Sequence, residues 1–123
     1  MTVKRIIAVI ALLVLNVIAF QPMVVAAEEM HCPGEGMTTV QSLAMCVQHA
    51  ASMGDITEAG VTNSLLAKVG AAQSAVDRGQ PAVAVQILQA FINEVQAQAG
   101  VHIDPAHAQH MVFHAQQVIA ALQ

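Results

Sequence analysis

The stretch "GDITEAGVTNSLLAKVGAAQSAVDRG", residues 54–79, decides the fold, because it has the features of one complete helix between two glycines. The helix is predicted to start near Thr57, with Glu58 in its first turn, where the helix dipole favours an acidic side chain. Gly79 can adopt the left-handed conformation that ends a helix. The apolar residues recur every three or four positions: Leu65, Leu66, Val69, Ala72 and Val76. The pattern therefore predicts an amphipathic helix that buries one face.

Similar patterns flank this helix on both sides. On the N-terminal side, Thr38 or Thr39 can cap a helix that continues to Gly54. The apolar residues of that helix are Val40, Leu43, Val47, Ala50 and Ala51. On the C-terminal side, Pro81 suits the first position of a helix that Gly100 ends. The apolar residues of this third helix are Ala84, Leu88, Phe91, Ile92 and Val95.

A last helix is predicted to begin at Asp104 and Pro105, which serve as cap and first residue. Its apolar residues are Ala108, Met111, Val112, Ala115, Ile119 and Leu122. Strand signals are nearly absent from the sequence, and the connections between the helices are short. The sequence therefore predicts an all-α fold, a small antiparallel bundle of about four helices.

Residues 1–27 have the features of a secretory signal peptide. Lys4 and Arg5 precede an apolar run at residues 6–20, and small residues end the segment at Ala27. This order is typical of a leader that is cleaved, here after Ala27. The run ends before it reaches the roughly 20 apolar residues of a membrane-spanning helix. We therefore expect a secreted or periplasmic protein, with retention of the leader as a membrane anchor as the alternative.

The mature chain, residues 28–123, is predicted to hold one domain at residues 38–123 after a loop at residues 28–37 that contains Cys32. Removal of Lys4 and Arg5 leaves two cations against eight acids, a net charge of −6. Such a surface does not neutralise phosphates, which argues against nucleic-acid binding. The chain also contains no Trp and no Tyr on which bases could stack.

Cys32 and Cys46 are the only cysteines of the chain. In an exported protein such a pair usually forms a disulfide. Closing a loop of this size is worth about 3 kcal/mol of stability in the chain-entropy model. A free thiol or a metal site is the alternative, but the sequence favours the disulfide.

The last predicted helix carries a row of histidines at His107, His110 and His114. On an ideal helix His107 and His114 nearly superimpose and His110 lies about 60° away, so all three could face one metal ion. His102, just before the helix, could join them. Alternatively, the row is the polar border of the apolar face. No acid other than Asp104 is near in sequence to orient the imidazoles, and the sequence favours the border.

A second cluster contains chemically soft ligands, and we call it the soft cluster. It could bind Cu(I) through thioether, thiolate and imidazole groups. Its members are Met30, His31, Cys32, Met37, Met45, His49 and Met53. Methionines at helical spacing are more often packing material, and a disulfide would remove the thiolate. Histidines could also respond to acid pH, although no pattern here singles out a switch.

Catalysis is not predicted. Cys46 and His49 have the spacing i, i+3, but Cys46 has Cys32 as a partner, and the two side chains point to different sides of the helix. The sequence shows no paired carboxylates, no phosphate-binding loop and no nucleophile elbow.

Lys68 could pair with an acid across the bundle, but extension of its amino group into water is favoured.

From Gly54 onward the chain resembles the FIMAH domain of bacterial secreted proteins. The matching segments are "GDI" at 54–56, "NSLLAK" at 63–68, then Gly79, Leu88, Phe91, Ile92, Val95, Gly100 and Ile103. Val69 replaces a leucine of the family. With the first helix included, the resemblance covers about residues 38–122 and implies a compact helical module without established catalytic residues.

The same resemblance implies a domain that is usually appended to the C-terminal end of larger exported proteins. We expect this chain to depart from that arrangement, because the sequence adds "HCPGEGM" and Cys46 and predicts no large partner domain. We therefore expect an exported, non-catalytic binding module without a cofactor, whose partner is a protein or a cell-envelope component. The alternative is an exported protein that binds copper or zinc. The sequence leaves the oligomeric state open.

Overall fold

The computed structural model of the protein describes Cys32 and residues 37–123. The predicted signal peptide and two members of the soft cluster, Met30 and His31, lie outside the described residues. The four helices are α1 (Val40–Met53), α2 (Ala59–Asp77), α3 (Pro81–Gln98) and α4 (Pro105–Leu122). In the described part of the chain there is no strand, only two isolated bridges between loop residues. The predicted all-α fold is confirmed.

The helices form a closed ring in which each one packs against its sequence neighbours and α1 packs against α4. Helices α1 and α4 run antiparallel. Ser42, near the start of α1, meets His114 in the second half of α4, whereas Asp55, just after α1, meets His107 near the start of α4. The largest buried side chains are Phe91, Leu43, Leu65, Leu88, Ile103 and Met111.

The predicted caps explain where α1 and α4 begin. Thr39, rather than Thr38, caps α1, and its Oγ1 accepts a hydrogen bond from the backbone N–H of Ser42 at 3.1 Å. Asp104 Oδ2 accepts from the backbone N–H groups of Ala106 at 3.0 Å and His107 at 3.2 Å. These bonds satisfy amides that the first turn of a helix leaves unpaired.

The start of α2 was predicted two residues too early. The helix begins at Ala59, and Glu58 is its N-cap in extended conformation rather than a first-turn residue. The cause lies in the preceding loop, where the backbone N–H of Thr57 donates to the carbonyl of His102 at 2.9 Å. Because this bond holds the backbone of Thr57 against the other loop, Thr57 stays outside the helix, which begins only after Glu58.

Two loops are joined at one end of the bundle. We call residues 54–57 and 100–104 the loop clamp. In addition to the bond from Thr57, the N–H of Asp104 donates to the carbonyl of Asp55 at 2.8 Å. Between these bonds Ile56 and Ile103 face each other across an antiparallel bridge, and both side chains are buried. The clamp therefore fixes the end of α1 against the start of α4.

The predicted disulfide is confirmed, because Cys32 and Cys46 are bonded to each other. Both cysteines are buried, and Cys46 lies in the middle of α1. The bond holds Cys32 against the bundle, beside His110 and Phe113 of α4.

The prediction for Lys68 was wrong. Its Nζ lies 2.5 Å from Glu94 Oε2 on α3 and 3.0 Å from Ser64 Oγ one turn earlier on α2. Ser64 Oγ also donates to the same carboxylate oxygen at 3.0 Å. The antiparallel pairing of α2 and α3 brings Glu94 opposite Lys68, so the amino group has a partner within reach and does not extend into water.

Among the described residues, no helix has both the length and the apolar character needed to cross a membrane.

Candidate functional site

Helix α4 divides its three histidines between the interior and the surface. His107 is 1% exposed and His114 is 7% exposed, whereas His110 is only partly buried. The prediction that the row forms the polar border of the apolar face is therefore wrong for His107 and His114. Burial is possible because α1 and its flanking residues place polar groups against both rings.

His107 lies against the loop clamp. Its Nδ1 is 3.1 Å from Asp55 Oδ2, but the contact lacks the geometry of a hydrogen bond, and neither ring nitrogen has a hydrogen-bond partner among the described residues. The His49 ring on α1 lies 6.2 Å away, centroid to centroid. The acid beside His107 is therefore Asp55, which is distant in sequence, whereas Asp104, the acid near in sequence, caps the helix backbone.

His114 joins α4 to the start of α1. Its Nε2 is 2.8 Å from Ser42 Oγ and 3.1 Å from the backbone carbonyl of Met37. A carbonyl oxygen can only accept, so Nε2 carries the proton and donates. In the neutral ring Nδ1 is then an acceptor, and this buried atom has no hydrogen-bond partner in the described part of the chain.

Ser42 completes this connection from inside the bundle. Its side chain is fully buried, and its Oγ lies 2.6 Å from the carbonyl of Met37 and 2.7 Å from that of Thr39. The hydroxyl accepts from His114 and donates its own proton to these carbonyls. The network fixes the orientation of the His114 ring and the position of the backbone before α1.

The structure does not bring the histidine row to one point. His107 meets the end of α1, His114 meets its start, and His102 lies in the loop clamp, where its backbone carbonyl accepts from Thr57. Within Cys32 and residues 37–123, no group of three or more His, Cys, Asp or Glu side chains could hold a metal ion. Metal binding by His102, His107, His110 and His114 stays a prediction that this geometry does not favour.

The soft cluster is also divided. Cys32 is bonded to Cys46 and offers no thiolate to a metal. Met37 is 50% exposed and Met53 is 61% exposed at opposite ends of α1, with Met45 and His49 partly buried between them. Copper binding by this set likewise stays a prediction.

A cleft of about 280 Å³ opens beside the disulfide, and we call it the disulfide cleft. Its walls include Cys32, Met37, Thr38, His110, Phe113, His114 and Gln117. Phe113 is 56% exposed and also borders a second depression of about 330 Å³ between α3 and α4. An exposed aromatic ring between two depressions is suited to binding, because its burial against a partner would remove apolar area from water.

Sequence reasoning missed Phe113 as a surface residue of interest. The available signal was its position, because Phe113 lies outside the apolar stripe that Met111 and Ala115 define on the same helix.

Two of the helices around Phe113 carry no formally charged side chains. Neither α1 nor α4 contains Asp, Glu, Lys or Arg. The face formed by these two helices is therefore free of formal charge apart from histidine.

The match to a known family covers the helical bundle but not the residues before α1. The family model of the FIMAH domain matches residues 40–120, which include all four helices except the last residues of α4. The chain belongs to the FIMAH domain family. No curated protein and no solved structure gives a match.

Membership of the FIMAH family confirms the resemblance and gives its motifs a structural meaning. "GDI" at 54–56 and the pair Gly100 and Ile103 are the two sides of the loop clamp. Cys32 precedes the matched residues, whereas Cys46 lies within them. A helical domain of secreted proteins that contains a disulfide is consistent with a location outside the cytoplasm.

Proposed function

We propose that this FIMAH domain is an exported, non-catalytic binding module, secreted or periplasmic, whose partner is a protein or a component of the cell envelope. The observation that carries the proposal is the exposed ring of Phe113 between two depressions on α4. Aromatic residues at such positions often supply a large share of the binding free energy at an interface.

The charge distribution supports the same face. The described acids lie on α2, on α3 or in the loops and caps: Asp55, Glu58, Asp77, Glu94 and Asp104. Contacts made by α1 and α4 therefore rest on apolar burial and neutral hydrogen bonds. Because salt screens interactions between charges and hardly affects apolar burial, we expect the affinity for the partner to change little with ionic strength.

Site-specific photocrosslinking tests the proposal in cells that export the full chain. A photoreactive residue replaces Phe113 in one strain and Val101 in another. Val101 is a matched control, because it is 67% exposed but lies in the loop clamp, away from the disulfide cleft. We expect one defined crosslinked product from position 113 that position 101 does not give.

Affinity measurements with the purified crosslinked partner complete the test. We expect Phe113→Ser to weaken binding at least about tenfold, since loss of an anchoring aromatic costs more than roughly 1.4 kcal/mol, and Val101→Ser to change it less than about twofold. Equal effects of the two substitutions would contradict the assignment of the α4 face. Reproducible turnover by the purified protein that a point substitution removes would contradict the non-catalytic role.

A further inference from the structure

We propose that the depression between α3 and α4 binds Phe113 of a second copy of this chain, so that two copies form a twofold-symmetric dimer through α4. The inference rests on the proposed function and names the protein that the α4 face recognises. It combines the shape of this face with the chemistry and the charge of its side chains.

The face has a projection beside a hollow. The hollow is the depression of about 330 Å³ between α3 and α4, and we call it the α3–α4 groove. Its apolar walls include Ala108 and Val112, and the exposed ring of Phe113 stands at its border. In a twofold dimer both copies use the same patch, so a patch with both a projection and a hollow can fit itself.

The polar side chains of the groove can pair with their own kind. Among the described residues that line it, the polar ones are three exposed glutamines, Gln96, Gln109 and Gln116. An amide has both N–H donors and a carbonyl acceptor, so the amides of two copies can donate to each other. Carboxylates or ammonium groups in these places would instead repel their counterparts in the second copy.

The distribution of charge also selects this face. The chain has a net negative charge, so two copies repel each other wherever acids face acids. Glu94, the one acid of α3, is paired with Lys68 of α2 and does not line the groove. Two copies that meet at the α3–α4 groove therefore bring no carboxylates of its walls together.

The spacing of residues along α4 fits an antiparallel contact between the two copies. With the twofold axis between Val112 and Phe113, each Phe113 lies opposite Val112 of the other copy. Gln109 of each copy then lies opposite Gln116 of the other, because these two residues are equally far from the axis. All four residues belong to the walls of the groove, so one register pairs ring with apolar wall and amide with amide.

Sedimentation equilibrium of the purified, oxidised protein is the first test. We expect the measured mass to rise with concentration towards twice the mass of one chain. The mass of one chain at all concentrations up to about 1 mM, where even weak specific complexes form, would overturn the proposal.

Substitution of the projecting ring should weaken the dimer. We expect Phe113→Ser to raise the dissociation constant of the dimer at least about tenfold, because each dimer loses two buried rings. Val101→Ser is the control, since Val101 is exposed in the loop clamp, and should change the constant less than about twofold. Equal effects of the two substitutions would overturn the proposal.

Paired charges test the antiparallel register. In Gln109→Glu/Gln116→Glu each new glutamate meets a glutamate of the other copy, whereas in Gln109→Lys/Gln116→Glu each lysine meets a glutamate. We expect the first double variant to dimerise at least about fivefold more weakly than the second. Both positions are exposed, so both variants should keep the fold. Equal dissociation constants would overturn the proposal.

A matched pair of variants on α1 controls for the change in net charge. Gln41 and Gln48 are also exposed and seven residues apart, but they do not line the groove. The same two sets of substitutions at these positions should give dissociation constants within about twofold of each other. A difference as large as that at Gln109 and Gln116 would assign the effect to net charge and overturn the proposal.

The crosslinked product from position 113 separates this inference from the proposed function. We expect a product with twice the mass of the chain. A product with a different protein, together with the mass of one chain in sedimentation, would leave the proposed function intact and overturn only this inference. Absence of any product from position 113 would contradict both.

Discussion

At the scale of single residues, three pairs join different helices or their flanking loops: Lys68 with Glu94, Asp55 with His107 and Ser42 with His114. None of them was predicted. The members of each pair are far apart in sequence, so neither helical periodicity nor capping rules can relate them. The composition did indicate that Lys68 had acids available, but only the antiparallel pairing of α2 and α3 selects Glu94.

Removal of the Asp55 side chain should destabilise the protein. Among the described residues, Asp55 is the only charged side chain that contacts the buried ring of His107. We expect Asp55→Ala to lower the free energy of unfolding by about 1 kcal/mol, because it leaves a buried imidazole nitrogen without a polar neighbour. Chemical denaturation followed by circular dichroism measures this change.

Asp77→Ala is the matched control for that measurement. Asp77 is exposed at the end of α2, where its carboxylate accepts a hydrogen bond from Gln73. We expect its effect to stay within about 0.5 kcal/mol, as for most exposed positions. An effect of Asp55→Ala no larger than that of Asp77→Ala would show that the Asp55–His107 contact does not contribute to stability.

At the scale of elements, the helix ends were largely predictable because their causes are local. Thr39, Pro81, Asp104 and Pro105 start helices, and left-handed glycines follow the ends of α1 and α2, whereas α3 ends at Gln98 with an extended Ala99 instead of at the predicted Gly100. The start of α2 is a second exception, because Thr57 is held by a backbone bond to the distant His102. Burial of His107 and His114 was not predicted for a similar reason, because it depends on polar groups in and around α1.

Two glycine substitutions should have opposite effects on stability. Gly54 ends α1 with φ of 82°, and a Cβ there would meet no atom within 4 Å, so only the backbone conformation opposes a side chain. We expect Gly54→Ala to cost about 1–2 kcal/mol, the penalty of a left-handed conformation for alanine. Thermal and chemical unfolding of the variant test this expectation.

Gly70 provides the contrasting variant. It lies in the interior of α2, where a Cβ also meets no atom within 4 Å and φ is not positive. We expect Gly70→Ala to stabilise the protein by up to about 1 kcal/mol, because alanine has the higher helix propensity. A change of the same sign in both variants would be incompatible with the helix boundaries described above.

At the scale of the whole molecule, one connection each holds Cys32 and Met37, which precede α1, on the bundle. The disulfide bonds Cys32 to the middle of α1, and the Met37 carbonyl accepts from His114 on α4. The disulfide was predictable, because the two cysteines of a chain with the features of export offer one pairing. The contact with His114 was not, because Met37 takes part through its backbone, which carries no sequence signal.

Reduction of the disulfide should lower the stability of the entire bundle. We expect the reduced protein to unfold at lower denaturant concentration, with a loss of about 3 kcal/mol in the chain-entropy model for a loop of this length. Oxidised and reduced samples of the same protein form a matched pair without any substitution. If the two unfold at the same denaturant concentration, the bond does not constrain the unfolded chain as proposed.

Calorimetric titration of the oxidised protein with Zn²⁺ and Cu²⁺ tests most sharply whether α4 uses His107 and His114 to hold the bundle together rather than to bind a metal ion. We expect an affinity no better than that of free histidine, because the two buried rings face different parts of α1. Nanomolar affinity that His110→Ala abolishes would contradict it and make the histidine row a metal centre.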